Sequence, residues 1–269
     1  MGMVTQPHWS ENPLLGFDTE TTGVSPLHSR IVTASVIVTG KDATTKNWLI
    51  NPGVEIPSAA QEVHGISTAR ARAEGADPLF ALAEIRDILI DGMKAGYPVV
   101  AFNAAFDLTL LDRELARFGL DTMTDLLGRE PFPVLDPLAL DRMINPYRKG
   151  PRRLETLLVR YGIEASDLHD AENDVLATLK LLHAMKDHAM LRASSLRKLH
   201  ELQKETQLRW ADSLNRYLAA SGRKPNAYGH WPIFPRDETT GPDGVAMSGQ
   251  PAASSDASTL PPSPDLPVQ

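Results

Sequence analysis

Phe17-Asp18-Thr19-Glu20-Thr21-Thr22-Gly23, preceded by the apolar pair Leu14-Leu15, decides the reading of this chain. The run has strand character, and side chains two apart on a strand point to the same face. Asp18 and Glu20 therefore stand side by side. Two carboxylates so placed repel each other unless a positive charge lies between them, and hard oxygen donors suit Mg²⁺ or Mn²⁺. Two further acidic stretches lie far along the chain: Asp107, which closes Phe102-Asn103-Ala104-Ala105-Phe106-Asp107, and His169-Asp170-Ala171-Glu172-Asn173-Asp174. A metal-dependent enzyme is the expectation.

Outward from that strand, Arg30 to Val38 and Thr45 to Ile50 are rich in β-branched residues and separated by Thr39-Gly40-Lys41-Asp42. This predicts antiparallel strands joined by a short turn, the last ended by Asn51-Pro52-Gly53. Apolar residues at 79, 82, 85, 88 and 89 predict a helix from Pro78 to Ala95, stopped by Gly96. Tyr97 to Phe102 is expected as a short buried strand. Asn103 is the expected N-cap of a helix to Arg117, with Gly119 at its end. Phe132 to Leu135 is a further strand, and Leu154 to Tyr161 and 171–188 are helices. Leu191 to Ala220 is predicted as one long helix carrying Leu199, Leu202, Trp210, Leu214 and Tyr217 on one face. Three strands, then helices alternating with strands, give a mixed α/β sheet covered by helices.

Taken together, the FDTETTG run, Asp107, and His169 five residues before Asp174 resemble the three motifs of the DEDDh 3′–5′ exonucleases. The proofreading epsilon subunits of bacterial DNA polymerase III are members of that family. The resemblance implies a ribonuclease H-like domain over 12–188, and the remaining sequence reads as an arm at 1–11 and a helical extension at 189–234. It further implies that Asp18, Glu20, Asp107 and Asp174 hold two Mg²⁺ (or Mn²⁺) ions ~3.5–4 Å apart. His169 is then the general base, since imidazole is the side chain that most readily exchanges a proton near neutral pH. The sister subfamily has Tyr four residues before the last Asp, where this chain has Asp170. The implied reaction releases nucleoside monophosphates from the 3′ end of single-stranded DNA.

Two other readings stay open. RNA trimming, as in the oligoribonuclease relatives, uses the same chemistry and differs in contacts to the 2′ position. A non-catalytic nucleic-acid or replisome adaptor could keep the fold, although the intact acid set with His169 argues against it. Candidate substrate contacts are Thr19, His64, Asn103, Arg152 and Arg153. Glu62 to Ser67 resembles the family's segment near the terminal nucleotide, so His64 either touches base or sugar or structures a loop beside Gly65. Phe102 stands where epsilon subunits carry His. Arg142, Arg148, Lys149, Arg152 and Arg153 either contact backbone phosphates or form a solvated basic loop. His8, His183, His188, His200 and His230 are expected to be surface or structural residues.

Composition bounds these readings. The 269 residues contain no Cys, which excludes disulfides, thiolate metal sites and a Cys nucleophile. No stretch approaches a membrane span, and Met1 to Glu11 has neither a basic start nor an apolar run, so a cytoplasmic protein is expected. The net charge of −7 is unusual for a nucleic-acid enzyme, but Pro235 to Gln269 contributes five acids against one Arg. That stretch also has seven Pro and five Ser in 35 residues and few large apolar groups, so it is expected to be a disordered tail. A replication or repair partner could engage the extension.

Overall fold

The computed structural model describes residues 8–164 and 168–236. β1 (Leu15–Thr21) is the middle strand of a five-stranded sheet of order β3-β2-β1-β4-β5. β2 (Ile31–Val38) and β3 (Thr44–Leu49) continue it antiparallel on one side. β4 (Val99–Val100) and β5 (Val134–Leu135) continue it in parallel on the other. These last two strands are shorter than the sequence predicts. Pro98 and Pro133 lack an N–H, so they serve the neighbouring strands as acceptors, to Leu15 and Val99, and the ladder begins after them.

Before β4 come α1 (Ser58–His64), α2 (Thr68–Glu74) and α3 (Pro78–Lys94). α4 (Ala104–Arg117) and α5 (Met123–Leu127) lie between β4 and β5. After β5 follow α6 (Pro137–Ile144), α7 (Leu154–Arg160), α8 (Ala171–Met185), α9 (Ala189–Arg192) and α10 (Leu196–Ala220). α1, α2, α5 and α6 have no counterpart in the predicted elements. α1 buries no residue at all.

Helices cover both faces of the sheet. Leu15 and Phe17 point into a core with Leu82, Ile85 and Leu89 of α3 and Leu108 and Leu111 of α4. The opposite face packs on Val175, Leu179 and Leu182 of α8. Gly16 makes that second contact possible, since a Cβ there would lie 2.3 Å from Val175 Cγ1. α8 therefore rests directly on the β1 backbone, two residues before Asp18.

Two expectations about helix ends and faces are corrected. Asn103 stands at the N-cap position of α4 but makes no side-chain cap hydrogen bond, because its backbone is left-handed (φ 64°, ψ 47°). The Asp136 carboxylate accepts from the Asn103 and Ala104 amides instead, at 3.0 and 3.1 Å, and from the Leu138 amide at 2.9 Å. The predicted helix 191–220 is two helices, since the Ser195 hydroxyl caps α10 and leaves Leu191 in α9. The inward face of α10 is also more polar than predicted: Leu199, His200, Gln203, Thr206, Gln207, Ala211 and Leu218 are buried. α10 packs on α6 and β5, where backbone groups need partners. Gln203 supplies them, donating to the Val134 carbonyl at 3.1 Å and accepting the Asp136 amide at 2.7 Å.

The ends of the described chain pack into the domain. Trp9 is buried and donates its Nε1–H to the Leu191 carbonyl at 3.2 Å, so the arm expected over 1–11 does not stand apart at residue 9. Trp231 and Phe234 are buried in the main core, and Arg236 pairs with Asp125 at 2.6 Å. The rest of the expected disordered tail, 237–269, lies outside the described residues.

The Gly16 contact is directly testable. Gly16→Val should destabilise the protein by about 1–3 kcal/mol, the usual cost of overpacking a filled core. Urea unfolding measures this, and wild-type stability would mean that α8 can retreat from β1 without loss.

Candidate active site

The strand period puts Gly16, Asp18 and Glu20 on the α8 face of β1. Asp170 caps α8, its carboxylate accepting from the Glu172 and Asn173 amides at 3.1 and 3.3 Å. This fixes the first turn, and with it Asp174. Carboxylate oxygens of Asp18, Glu20 and Asp174 all lie within 4.8 Å of one another.

Asp107 arrives from the opposite face of the sheet, on the first turn of α4. It is buried, and Thr19, which points to that face, donates its hydroxyl to Asp107 Oδ1 at 2.6 Å. The fourth expected acid thus adjoins the other three without joining their cluster. Thr19, expected as a substrate contact, is itself buried and oriented towards Asp107.

The electrostatics of the four acids agree in sign. Burial, then repulsion from Asp107, Asp174 and Glu20, holds the Asp18 carboxyl well above the ordinary range. Burial and the neighbouring Asp174 and Asp107 push Glu20 up to about 8. Burial raises Asp107 to about 7 despite the opposing Thr19 hydrogen bond. Asp174 is raised by burial too, with the His169 amide working against the shift. Among the described residues, none of the four forms an ion pair. Crowded carboxylates without a counter-charge fit a divalent cation, whose charge would reverse the local sign.

His169 sits just before α8 on an exposed loop, at φ 82°, and its backbone amide points at Asp174 Oδ1 at 3.4 Å. It shares an open cleft of about 520 Å³ with Asp18 and Asp174. Asn103, Arg152 and Arg153 also line this cleft, so three of the expected substrate contacts border it. His64 does not. It ends α1, with Nδ1 accepting the Ile66 amide at 3.1 Å and the Thr21 backbone beside it.

Much of the expected basic stretch is bound internally. Arg148 and Arg152 both pair with the fully buried Asp141, and Arg152 also donates to the Asn145 carbonyl at 2.7 Å. Arg142 donates to Gln207 at 2.8 Å. Glu155, Leu168 and Trp210 line the cleft as well, and none was expected at a site. They come from three segments whose meeting no local pattern announces.

Comparison with known proteins agrees with this geometry. Residues 15–182 match the family model of the RNase T type, described as "Exonuclease". The chain belongs to this exonuclease family. It is 34% identical over 188 residues to a DNA polymerase III subunit epsilon-like protein of Rhodobacter capsulatus, covering 63% of this chain and 24% of that one. It is 27% identical over 188 residues to the PolC-type DNA polymerase III of Lacticaseibacillus paracasei, covering 64% of this chain and 11% of that one. The chain thus spans a quarter or less of these relatives. E. coli exonuclease I in complex with a dT13 oligonucleotide superposes with a TM-score of 0.54 at 20% identity, over 78% of this chain and 46% of that one. A product-bound exonuclease I gives 0.56 at 21% identity, over 78% and 48%. The mixed five-stranded sheet flanked by helices is the ribonuclease H-like exonuclease fold. Among the described residues no helix is long and apolar enough to cross a membrane.

The raised carboxyls fix the sign of a pH effect. Unfolded Asp and Glu titrate near pH ~4, so between about pH 4 and pH 8 these carboxyls bind more protons in the folded, metal-free protein than in the unfolded chain. Stability from these groups is greatest below that window and falls as pH rises through it. Thermal melts in EDTA should therefore give a lower Tm at about pH 8 than at about pH 5, and added Mg²⁺ should raise Tm more at the higher pH. A metal-free Tm that climbs across this range would contradict the assignment of uncompensated acids.

Proposed function

We propose that this exonuclease removes nucleoside monophosphates from the 3′ end of single-stranded DNA, using two Mg²⁺ (or Mn²⁺) ions held by Asp18, Glu20, Asp107 and Asp174. The observation that carries the reading is the convergence of three carboxylates within 4.8 Å beside a fourth that is buried and oriented. Bound cations would neutralise the phosphodiester oxygens, lower the pKa of the attacking water and stabilise the departing 3′ oxygen. The protein's own residues do the rest.

His169 takes the proton from the attacking water. Its backbone is anchored towards Asp174 while its side chain stays exposed at the cleft, which suits a group that must collect and release a proton. Asp170 holds Asp174 in place by capping α8, and Thr19 holds Asp107 by its hydroxyl. Asn103, Arg152 and Arg153 border the path of the nucleic acid. His64 stands away from that cleft, beside the Thr21 backbone at the end of β1.

Single-stranded DNA is favoured over RNA by two of the relatives. The polymerase III proteins are DNA-synthesising by name, and exonuclease I was solved with single-stranded DNA. A replication or repair protein is the partner these relatives suggest for the extension.

Digestion of 3′-labelled and 5′-labelled DNA and RNA oligonucleotides tests activity, polarity and sugar preference together. Labelled mononucleotide should leave the 3′-labelled DNA first, and EDTA should abolish the reaction. Full turnover in excess chelator would sink the metal-dependent reading.

Asp18→Asn and Asp107→Asn should each remove turnover while the fold stays intact by circular dichroism. His169→Ala should slow hydrolysis by roughly 10²–10⁴-fold, the usual contribution of positioned proton transfer, with little change in Mg²⁺ dependence. A large loss of Mg²⁺ affinity with turnover preserved at saturating metal would make His169 a ligand instead.

A further inference from the structure

The cleft has a wall that the matched exonuclease region does not supply. Trp210 projects into it from α10, beyond the residues 15–182 that match the family model. Its ring is half-buried, and the Arg142 guanidinium lies 3.7 Å from the ring centroid, close enough to stack. The two side chains hold each other in place, and Gln207, one turn before Trp210, accepts a 2.8 Å hydrogen bond from Arg142.

Arg142 is favoured in its charged form by Asp136 and Asp141, but neither touches it. Among the described residues it has no carboxylate within ion-pair distance. The acids nearest in effect, Asp136 and Asp141, are committed elsewhere: Asp136 to backbone amides, Asp141 to Arg148 and Arg152. The Arg142 Nε–H is buried and makes no hydrogen bond among the described residues. Leaving a buried charge-bearing donor unpaired is costly unless something external completes it. The cleft on which it borders is open, and Asp18 and Asp174 line the same cleft.

We propose that Arg142 and Trp210 form a subsite for the nucleotide adjoining the one removed: Trp210 stacks on its base, and Arg142 meets a phosphate other than the scissile one. This rests on the reading of the four acids as the hydrolytic centre. The acids can approach a phosphate only through cations, so a fixed guanidinium elsewhere in the same cleft matches a second, separate phosphate. A base can reach Trp210 only when unpaired, because its flat face must be free to stack. The subsite therefore selects single-stranded ends at least two nucleotides long.

Two substrates separate this subsite from the hydrolytic centre. A thymidine oligonucleotide offers both nucleotides, whereas the p-nitrophenyl ester of thymidine 5′-monophosphate offers one nucleotide and one phosphodiester. For Trp210→Ala in the full chain, KM for the oligonucleotide should rise roughly ten- to hundred-fold, the range for losing one stacked base. KM for the ester should move far less, and Trp210→Phe, which keeps a ring, should recover most of the loss. Arg142→Gln should flatten the dependence of log KM on log salt by about 0.7 for the oligonucleotide, the slope of one phosphate contact on a single strand. Equal KM changes on both substrates would overturn the proposal, because Trp210 would then be supporting the hydrolytic centre. Unchanged kinetics on the oligonucleotide would overturn it as well. If the wild-type protein cleaves neither substrate, it is the hydrolytic reading that falls, and the subsite falls with it.

Discussion

The seating of α8 on β1 is the contact on which the site depends. Asp18 and Glu20 come from one strand and are neighbours by its period, but Asp174 is more than 150 residues away and must be delivered by a helix. A side chain at residue 16 would hold that helix off, since even a Cβ would stand 2.3 Å from Val175. Glycine lets the backbones close, and the pairs Gly16–Val175 and Asp18–Asp174 follow one another along the same contact. Burial of Val175, Leu179 and Leu182 stabilises this arrangement against the repulsion of the acids it brings together. Apolar packing thus offsets electrostatic strain, and the strain is located where a cation would relieve it.

The same logic explains what was legible in the sequence. Asp18, Glu20 and Asp174 belong to a strand period and a helix start, both local patterns, and the three meet. Asp107 is legible as an acid in the first turn of a helix, but its position across the sheet from the other three is not. That depends on Thr19 being the odd residue between two even ones, with its hydroxyl turned to α4. The three long antiparallel strands and the helices α3, α4 and α8 follow from periodicity. β4, β5 and α7 are also legible as short apolar runs, though the strands are longer in prediction than in the fold, whereas α1, α2, α5 and α6 are not. Asp136-Pro137 is an exception: an N-cap acid followed by Pro at the first helical position is a local sign of α6. What it does not disclose is that the same carboxylate caps α4.

The basic stretch shows the opposite failure, in which local composition suggests more than it delivers. Five cationic residues over 142–153 suggest a phosphate-binding surface, yet Arg148 and Arg152 surround the buried Asp141. A carboxylate with no exposure has to be matched by charge, and the nearest cations are consumed in matching it. Arg142 differs in touching a ring and an amide, with no acid within ion-pair distance among the described residues. Net charge is equally uninformative here. A chain of −7 overall can present a fixed guanidinium to a cleft, and the acids that line the same cleft would become attractive to phosphate once cations occupy them.

Asp136 connects the extension to this centre. Its carboxylate holds the amides that begin α4, four residues before Asp107, and its own amide is held by Gln203 of α10. Gln203 in turn grips β5 through the Val134 carbonyl. A single chain of hydrogen bonds therefore runs from α10 through the end of β5 to the first turn of α4. Buried polar networks of this kind are stable when every member is satisfied and costly when one is removed. The helix beyond the matched exonuclease region is in this sense part of the domain: its buried polar face sets the position of α4, and α4 sets Asp107. The same helix one and two turns later presents Gln207 and Trp210 to Arg142. Support for the acid centre and construction of the cleft wall thus come from successive turns of one helix, which ties the placement of Asp107 to the shape of the cleft.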